Sequence, residues 1–375
     1  MTIQTSVNSL ALPHREKMVF VLLGLFWLAI AGLVGLDTGG RGVALLVLGT
    51  ALGAVFLSFQ YGFASGWRHF IVAGKTMALA AHFLLAALCA LIVIPADLWG
   101  LTASGSLAPI SVSLFVGAFA FGIGMQLANG CGSGVLFSFG GGSGRMLVAL
   151  PFFVLGSLIG SLILPDILAL GQLPSVQIGA ELGPLERTGV NLALLGAAAF
   201  CFWHIGYRRG EKMPVKLLVA SGMIACLCWA VFALSGHPWG VTFGFTLWGA
   251  KLASAIGFDL SGYDFWQWPG PARALAHSVL ADTSSLMDIG MLIGAGLWAS
   301  FVGSLRSQTW PNRRQLLAAA IGGLLMGIGA RLAFGCNIGA FLAGTASGSL
   351  HGWIWFAMAL AGSWVGVRAR PHFGF

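Results

Sequence analysis

A thirteen-residue pattern occurs twice in this chain, and each copy carries a cysteine at the same place. The first copy reads Gly122-Ile123-Gly124-Met125-Gln126-Leu127-Ala128-Asn129-Gly130-Cys131-Gly132-Ser133-Gly134. The second reads Gly327-Ile328-Gly329-Ala330-Arg331-Leu332-Ala333-Phe334-Gly335-Cys336-Asn337-Ile338-Gly339. Eight of the thirteen positions are identical, and four of those are glycine. Self-similarity at one fixed offset marks a duplicated structural unit. Two helix interruptions are therefore expected, one in each half, facing each other around a pair of thiols at a shared pore or binding site.

The duplicated unit has to live in a membrane. The chain of 375 residues is 58% hydrophobic and 8% charged, with a mean hydropathy of +0.90, whereas a soluble domain carries roughly 25% charged residues. Window reading gives about eleven apolar segments near the ~20 residues needed to cross a bilayer. Residues 18–36, 42–57 and 241–256 are among them. The predicted class is an all-α polytopic membrane protein. Its 56 glycines allow close helix approach and backbone breaks at depth, provided each break is enclosed by protein or lines a wet cavity. Trp99, Trp203, Trp239, Trp266, Trp268 and Trp310 fall near segment ends and read as interfacial anchors.

The net charge of +8 fits loop arginines that set topology, with some added attraction for anions. Nucleic-acid binding is not expected, because the basic residues lie between apolar segments. Residues 18–36 exceed a signal core of ~7–15 residues and lack a small-x-small cleavage site, so they read as a retained first helix. Cys89, Cys131, Cys201, Cys226, Cys228 and Cys336 all lie in apolar segments, where most serve as small core residues.

Extending the repeat divides the chain into an N-terminal segment with an extra helix (1–41), a first half (42–207), a polar linker (208–216) and a second half (217–370). Basic clusters stand at Arg15/Lys17, Arg68/Lys75, 208–216, 306–314 and Arg368/Arg370. If every segment crossed, the linker and the 306–314 loop would fall on opposite sides. Both are basic, so one segment between them is expected not to cross, and 241–268 is the best candidate for a re-entrant hairpin. An odd number of crossings would make the halves inverted repeats, a plan that places a site at broken helices near the midplane.

The chemistry centres on the two signatures. A break at Gly130-Cys131-Gly132-Ser133-Gly134, or at Gly335-Cys336-Asn337-Ile338-Gly339, exposes backbone N–H groups and the positive end of a helix dipole, which suits an anion. A thiol beside it adds a soft, polarisable group with a weak S–H donor. Glycines that merely permit packing, with space-filling cysteines, are the competing reading of either copy alone. Arg331 lies inside the second copy, with Gln126 as its counterpart. A buried arginine is a functional candidate by default, but an ion pair with Asp282 or Asp288 ranks ahead of that role. Lys251 reads as a snorkelling interfacial residue.

Other leads close. Gly74-Lys75-Thr76 lacks the leading glycine of a phosphate loop, since position 69 is His69. Cys226-Leu227-Cys228 is not a redox pair, and the histidines show no metal spacing, so no cofactor is expected. His82 and His204 read as hydrogen-bonded core residues.

The signatures, with Gly140-Gly141-Gly142-Ser143 after the first and Ala340–Trp353 after the second, resemble the YeeE/YedE sulfur-transport family. Trp248-Gly249-Ala250-Lys251 and the 282–288 segment fit as well. The similarity covers about 42–370. It implies an importer of thiosulfate or a similar sulfur anion in a bacterial inner membrane, with an hourglass-like pathway and re-entrant loops. It also implies a cytoplasmic sulfur-carrier protein as partner. Family pathway cysteines pass the anion along by S–H···S contacts, and Cys131 and Cys336 match two of them. The third belongs to a segment that here reads Tyr61-Gly62-Phe63-Ala64-Ser65-Gly66-Trp67-Arg68, with Gly62 in place of the thiol. Arg68 matches and would attract anions at the mouth. A selenium-species transporter and a membrane thiol enzyme (a sulfurtransferase or disulfide oxidoreductase) are the alternatives.

Overall fold

The computed structural model describes residues 14–101, 104–305 and 310–375, without the side chains of residues 14, 15 and 99. The start of the N-terminal segment, the anchor role of Trp99 and the Arg306 end of one basic cluster lie outside these described residues.

The chain is almost wholly helical. The helices are α1 (His14–Phe59), α2 (Phe63–Ala73), α3 (Met77–Val93), α4 (Val112–Ala128), α5 (Gly132–Gly140), α6 (Gly144–Ala169), α7 (Pro184–Arg208) and α8 (Val215–Ser235), followed by α9 (Thr242–Ala255), α10 (Asp264–Gln267), α11 (Pro269–Ala276), α12 (Thr283–Phe301), α13 (Arg313–Leu332), α14 (Ala343–Ala346) and α15 (Leu350–Ala369). A π-helical turn, Asn337–Leu342, leads into α14. Strands β1 (Pro109–Ser111) and β2 (Gln172–Ser175) make one short antiparallel pair. Among the described residues eight stretches are long and apolar enough to cross a membrane, and Met77–Val93 is a shorter apolar helix.

That number is smaller than the eleven expected. Residues 18–36 and 42–57 remain separate helical arms but fall within one stretch, α1, which reverses at Gly39 (φ 70°, ψ −162°). The Trp27 indole donates to Thr50 Oγ1 at 2.9 Å, a pair that a straight helix would hold about 34 Å apart. The two arms, 14–38 and 40–59, are therefore antiparallel. The 241–256 segment is the 14-residue α9, too short to cross.

Four helices form the centre, and glycine decides how closely they pack. A Cβ on Gly124 would lie 2.5 Å from Gly322 O, and one on Gly322 would lie 2.5 Å from Ala128 N. Likewise Gly117 faces Gly329 and Ala333. Position numbers rise on α4 as they fall on α13, so the two signature helices cross antiparallel, backbone on backbone. Gly156 packs on Leu324 and Gly160 on Ile328, so α6 runs parallel to α13. Gly362 packs on Phe119 and Gly366 on Ile123, so α15 runs parallel to α4 in the same manner. The arm 40–59 packs on α12 through Gly49, Gly53, Gly290 and Gly294.

Hydrogen bonds sort the loops into two ends. At one end Arg209 donates to Gly74 O, Thr76 N donates to Glu211, and Gln315 donates to Gly374 O. Lys75, Arg145, Arg208, Arg209, Arg313, Arg314 and Arg370 gather here. At the other end Arg41 donates to Leu234 O, Ser104 N to Gly236 O and Ile178 N to Gly348 O. The acidic Asp37, Asp97, Glu181, Glu186, Asp259, Asp264 and Asp282 lie toward this end.

Three side-chain expectations need correction. Trp239 and Trp266 are buried, 3% exposed each, instead of anchoring at an interface: Trp239 packs on Phe56 of α1, and Trp266 closes the core around α6 and α9. His204 is on the exposed face of α7, stacked on Phe200 at 5.7 Å. His82 is buried and stacks on Phe63 at 4.2 Å, but its Nδ1 has no hydrogen-bond partner.

Candidate functional site

Both signature helices break at the same residue of the repeat. Asn129 (φ 68°) and Phe334 (φ 61°) adopt the left-handed conformation that non-glycine residues seldom take. Cys131 (φ −90°, ψ −170°) and Cys336 (φ −104°, ψ −163°) then restart the chain as matching N-caps of α5 and of the π turn. Gly335 (φ 154°) has Ala340 N and Gly339 C 2.7 Å from a Cβ position, so only glycine fits there.

Two more helices begin at this level. The N-cap of α2 is Gly62, and a backbone amide of Phe63 faces the Cys131 sulfur, as does that of Gly134 at 3.4 Å. The N-cap of α9 is Val241, and Thr242 lies 3.7 Å from a Cβ position on Gly132, while Gly240 lies 3.8 Å from one on Gly339. Four helix N-termini thus converge. The α2, α9 and π-turn termini have no side-chain cap, which leaves first-turn N–H donors for another acceptor. Because α2 and α5 run toward the basic end and α9 and the π turn toward the acidic end, their positive dipole ends meet in the middle.

The thiols sit together in this layer. Cys336 Sγ lies 2.9 Å from where a Cβ on Gly132 would stand, and backbone amides of Ile338 and Gly339 face it. Cys131 is 1% exposed and Cys336 is 0%, and both are free thiols. Asn337 is fully buried, and neither its Oδ1 nor its Nδ2 has a hydrogen-bond partner among the described residues. A cavity of about 380 Å³ opens at the basic end, lined by Gln60, Asn129, Ser138, Arg145 and Met146 among others. From the acidic end a cavity of about 650 Å³ reaches Phe243 and Ser284, beside α9. The thiol layer separates the two.

A family model described as sulphur transport matches residues 60–365. The chain belongs to this family. A thiosulfate transporter, TsuA, from Spirochaeta thermophila is 30% identical over 68% of this chain and 76% of the relative. TsuA from Escherichia coli is 23% identical over 68% of this chain and 75% of its own length. A probable transporter, YedE, from E. coli is 36% identical over 41% of this chain, an alignment spanning 37% of that relative's length. The family and these relatives are named for transport rather than for catalysis, and the chain is an integral membrane protein by its apolar helices.

The sequence-derived candidates divide into three groups. Cys131, Cys336, Gly130, Gly132, Gly134, Gly335, Asn337, Gly339 and Gly62 lie at the convergence itself. Gln126 and Arg331 stand behind it. Gln126 Nε2 donates to Ala64 O of α2, and Arg331 lies over the Phe265 ring at 5.1 Å with its Nε unpartnered. The expected ion pair of Arg331 with Asp282 or Asp288 is absent among the described residues. Arg331 faces α6 and α10, whereas α12 packs on α1, α5 and α9. Lys251 does not snorkel freely either, since its Nζ donates to Leu275 O and His277 O, closing the end of α11.

Arg68 belongs to the basic mouth. It donates to Asn129 Oδ1, to which Arg370 also donates at 3.4 Å. Arg145 and Arg370 both lie over the Phe375 ring, at 4.4 and 4.2 Å. Sequence reading passed over Asn129 and Arg145 and used Arg370 only as a topology charge. The one available signal was Asn129, a polar residue inside the first signature.

The close approach at Gly132 gives a direct test. Gly132→Ala would place a methyl carbon 2.9 Å from Cys336 Sγ and 3.3 Å from its Cβ, an overpacking that costs about 1–3 kcal/mol. Transport should drop at least tenfold at near-normal membrane yield. The control Gly262→Ala, with nothing within 4 Å of its Cβ position, should leave uptake unchanged.

Proposed function

We propose that this protein imports thiosulfate across a bacterial inner membrane, passing the anion between the two thiols. The observation that carries the reading is the convergence of four helix N-termini on Cys131 and Cys336. Uncapped amides supply donors for the oxyanion end, and the S–H groups supply soft contacts for the terminal sulfur. Among the described residues, α2, α5 and the π turn themselves carry no carboxylate. The names of the TsuA relatives support the substrate.

The same reading gives the architecture. The antiparallel crossing of α4 and α13, the matched backbone at residues 129 and 334, and the parallel pairs α6–α13 and α4–α15 support two inverted repeats over 42–207 and 217–370. The segments around α2 and α9 enter from opposite ends as re-entrant hairpins, and the two cavities form an hourglass. Basic loops at one end support a cytoplasmic position for that end. The stretch 208–216 joins the repeats there, and 1–41 adds the first arm of α1.

Passage needs no covalent chemistry. The anion enters the cavity beside α9, exchanges water for the amides around Cys336, shifts to those around Cys131, and leaves past Arg68, Arg145 and Arg370. Labelled thiosulfate should accumulate in cells that lack other sulfate-type uptake systems and express this protein. Unlabelled thiosulfate should compete far better than sulfate, which has no terminal sulfur. Equal competition by sulfate, or no accumulation, would remove the thiol-based reading.

Gly62 permits a second experiment. Its φ of −113° suits any residue, and a Cβ there would meet only the movable Ser65 hydroxyl, at 3.0 Å. Gly62→Cys would set a third sulfur next to the Phe63 amide that faces Cys131. Uptake should rise severalfold in initial-rate measurements, and an unchanged rate would show that two thiols suffice here.

A further inference from the structure

Asp288 is fully buried on α12, and neither carboxyl oxygen has a hydrogen-bond partner among the described residues. Its Oδ2 lies 2.6 Å from the Cβ position of Gly244, in the first turn of α9. Any side chain at 244 would displace it, so the glycine makes room for the carboxyl. The residue also lies near enough to Cys336 to act on that thiol electrostatically. Along α12, Asp288 is six residues, about 9 Å, beyond Asp282, which lines the acidic-end cavity with Thr283 and Ser284. It thus stands between that cavity and the thiol layer. The transport reading assigns it no role, and Arg331 does not pair with it.

The groups around it can be named element by element. Asp282 caps α12 through Ser285 N at 2.7 Å, and burial holds its carboxyl above the usual range despite that bond. His237 lies near Asp282 at the cavity. On α9, Lys251 is engaged by carbonyls at its far end. On α1, Arg41 is likewise taken by the Leu234 and Ser235 carbonyls. Segment α5 brings no titratable side chain. No cation faces Asp288 from these elements, so its charge has no counterpart among the described residues.

Resting on the transport reading, we propose that Asp288 is the proton site of the carrier, so that the anion enters together with a proton. An ionised carboxylate beside the thiol layer repels an incoming dianion through a low-dielectric medium. A protonated one does not, and it offers an O–H. Anion and proton therefore favour each other's binding, and the coupling is reciprocal. A proton is also the one cation that a single carboxyl can hold without further oxygen ligands. The route in runs from the acidic-end cavity past Asp282 and His237. Release follows when the anion moves on to Cys131 and the mutual stabilisation is lost.

The test uses the purified protein in liposomes with the membrane voltage clamped by a potassium ionophore. With one proton per anion, a gradient of one pH unit, acid at the cavity side, should raise the accumulation ratio of labelled thiosulfate about tenfold. Asp288→Asn should lose this response, and a sodium gradient should not replace the proton gradient. Independently, infrared spectra of the wild-type protein at neutral pH should contain a protonated-carboxyl band that is missing from Asp288→Asn and retained in Asp282→Asn. A pH response that survives in Asp288→Asn, or the absence of that band, overturns the proposal. If wild-type liposomes take up no thiosulfate under any gradient, it is the substrate reading that fails, and the band still decides the state of Asp288. Should Asp288→Asn not fold, alkaline titration of the wild-type protein decides instead: loss of the band supports a titrating carboxyl, and a band that never changes overturns it.

Discussion

Cys336→Ala should lower thiosulfate uptake by about ten- to a hundredfold while the folded protein stays abundant. The magnitude follows from what the thiol supplies. A hydrogen bond to a charged group contributes about 1.5–3 kcal/mol, and each 1.4 kcal/mol is a factor of about ten. Removing the sulfur leaves the Ile338 and Gly339 amides in place, so anion binding persists but the step between thiols is lost. Cys131→Ala should act in the same direction and less strongly, because Ser133 Oγ lies 3.4 Å from that sulfur and remains after the change. Cys336→Ser separates shape from softness: a hydroxyl preserves hydrogen bonding to oxygen but is a poor neighbour for a terminal sulfur. The ratio of thiosulfate to sulfate competition should therefore fall in Cys336→Ser. Initial rates of labelled uptake, normalised to protein in the membrane, decide each case. Normal uptake by Cys336→Ala would remove the thiol from the mechanism.

The thiol layer was legible because the chain repeats itself. Two cysteines, each flanked by glycines and set 205 positions apart, said that whatever happened at one would happen at the other. What the repeat could not reveal was the second pair of helix starts. α2 and α9 have 11 and 14 residues and carry no copy of the signature; Gly62 was reached only through the family resemblance, and α9 only through the loop charges that marked 241–268 as a re-entrant hairpin. The two arms of α1 were legible as separate apolar segments, 18–36 and 42–57, but the residue that turns the chain was not, because one glycine among 56 looks like any other. Arg331 misled because buried charge in a membrane calls for a partner, and the nearest acids in sequence were Asp282 and Asp288. Those acids lie on a helix that packs elsewhere, and the arginine rests on Phe265 instead. The mouth formed by Arg68, Arg145 and Arg370 draws its members from three distant segments, so no local pattern could assemble it.

Gly327→Val should prevent the protein from assembling, and Gly122→Val should do so to the same degree. A Cβ on Gly327 would lie 2.3 Å from Phe153 O and 2.5 Å from Ser157 N, and one on Gly122 would lie 2.1 Å from Ala359 O. The neighbours are backbone atoms, which cannot rotate away. Helices would have to separate, losing the close contact that holds membrane helices together when lipid offers no hydrophobic drive between them. Overpacking a rigid core costs about 1–3 kcal/mol per intrusion and occasionally more, a large share of the ~5–15 kcal/mol that stabilises a typical fold. Gly222→Val on α8, where nothing lies within 4 Å of the Cβ position, is the matched control. Detergent-extracted fluorescent fusions run on a sizing column give the readout: a monodisperse peak for the control, and aggregate or no peak for the two central variants. Equal loss in both is expected because residues 122 and 327 occupy the same place in two copies of the signature, each packing on the long helix that follows the other copy's break. A normal peak for either variant would mean that the parallel pairs α6–α13 and α4–α15 are not what hold the halves, and with them the two thiols, together.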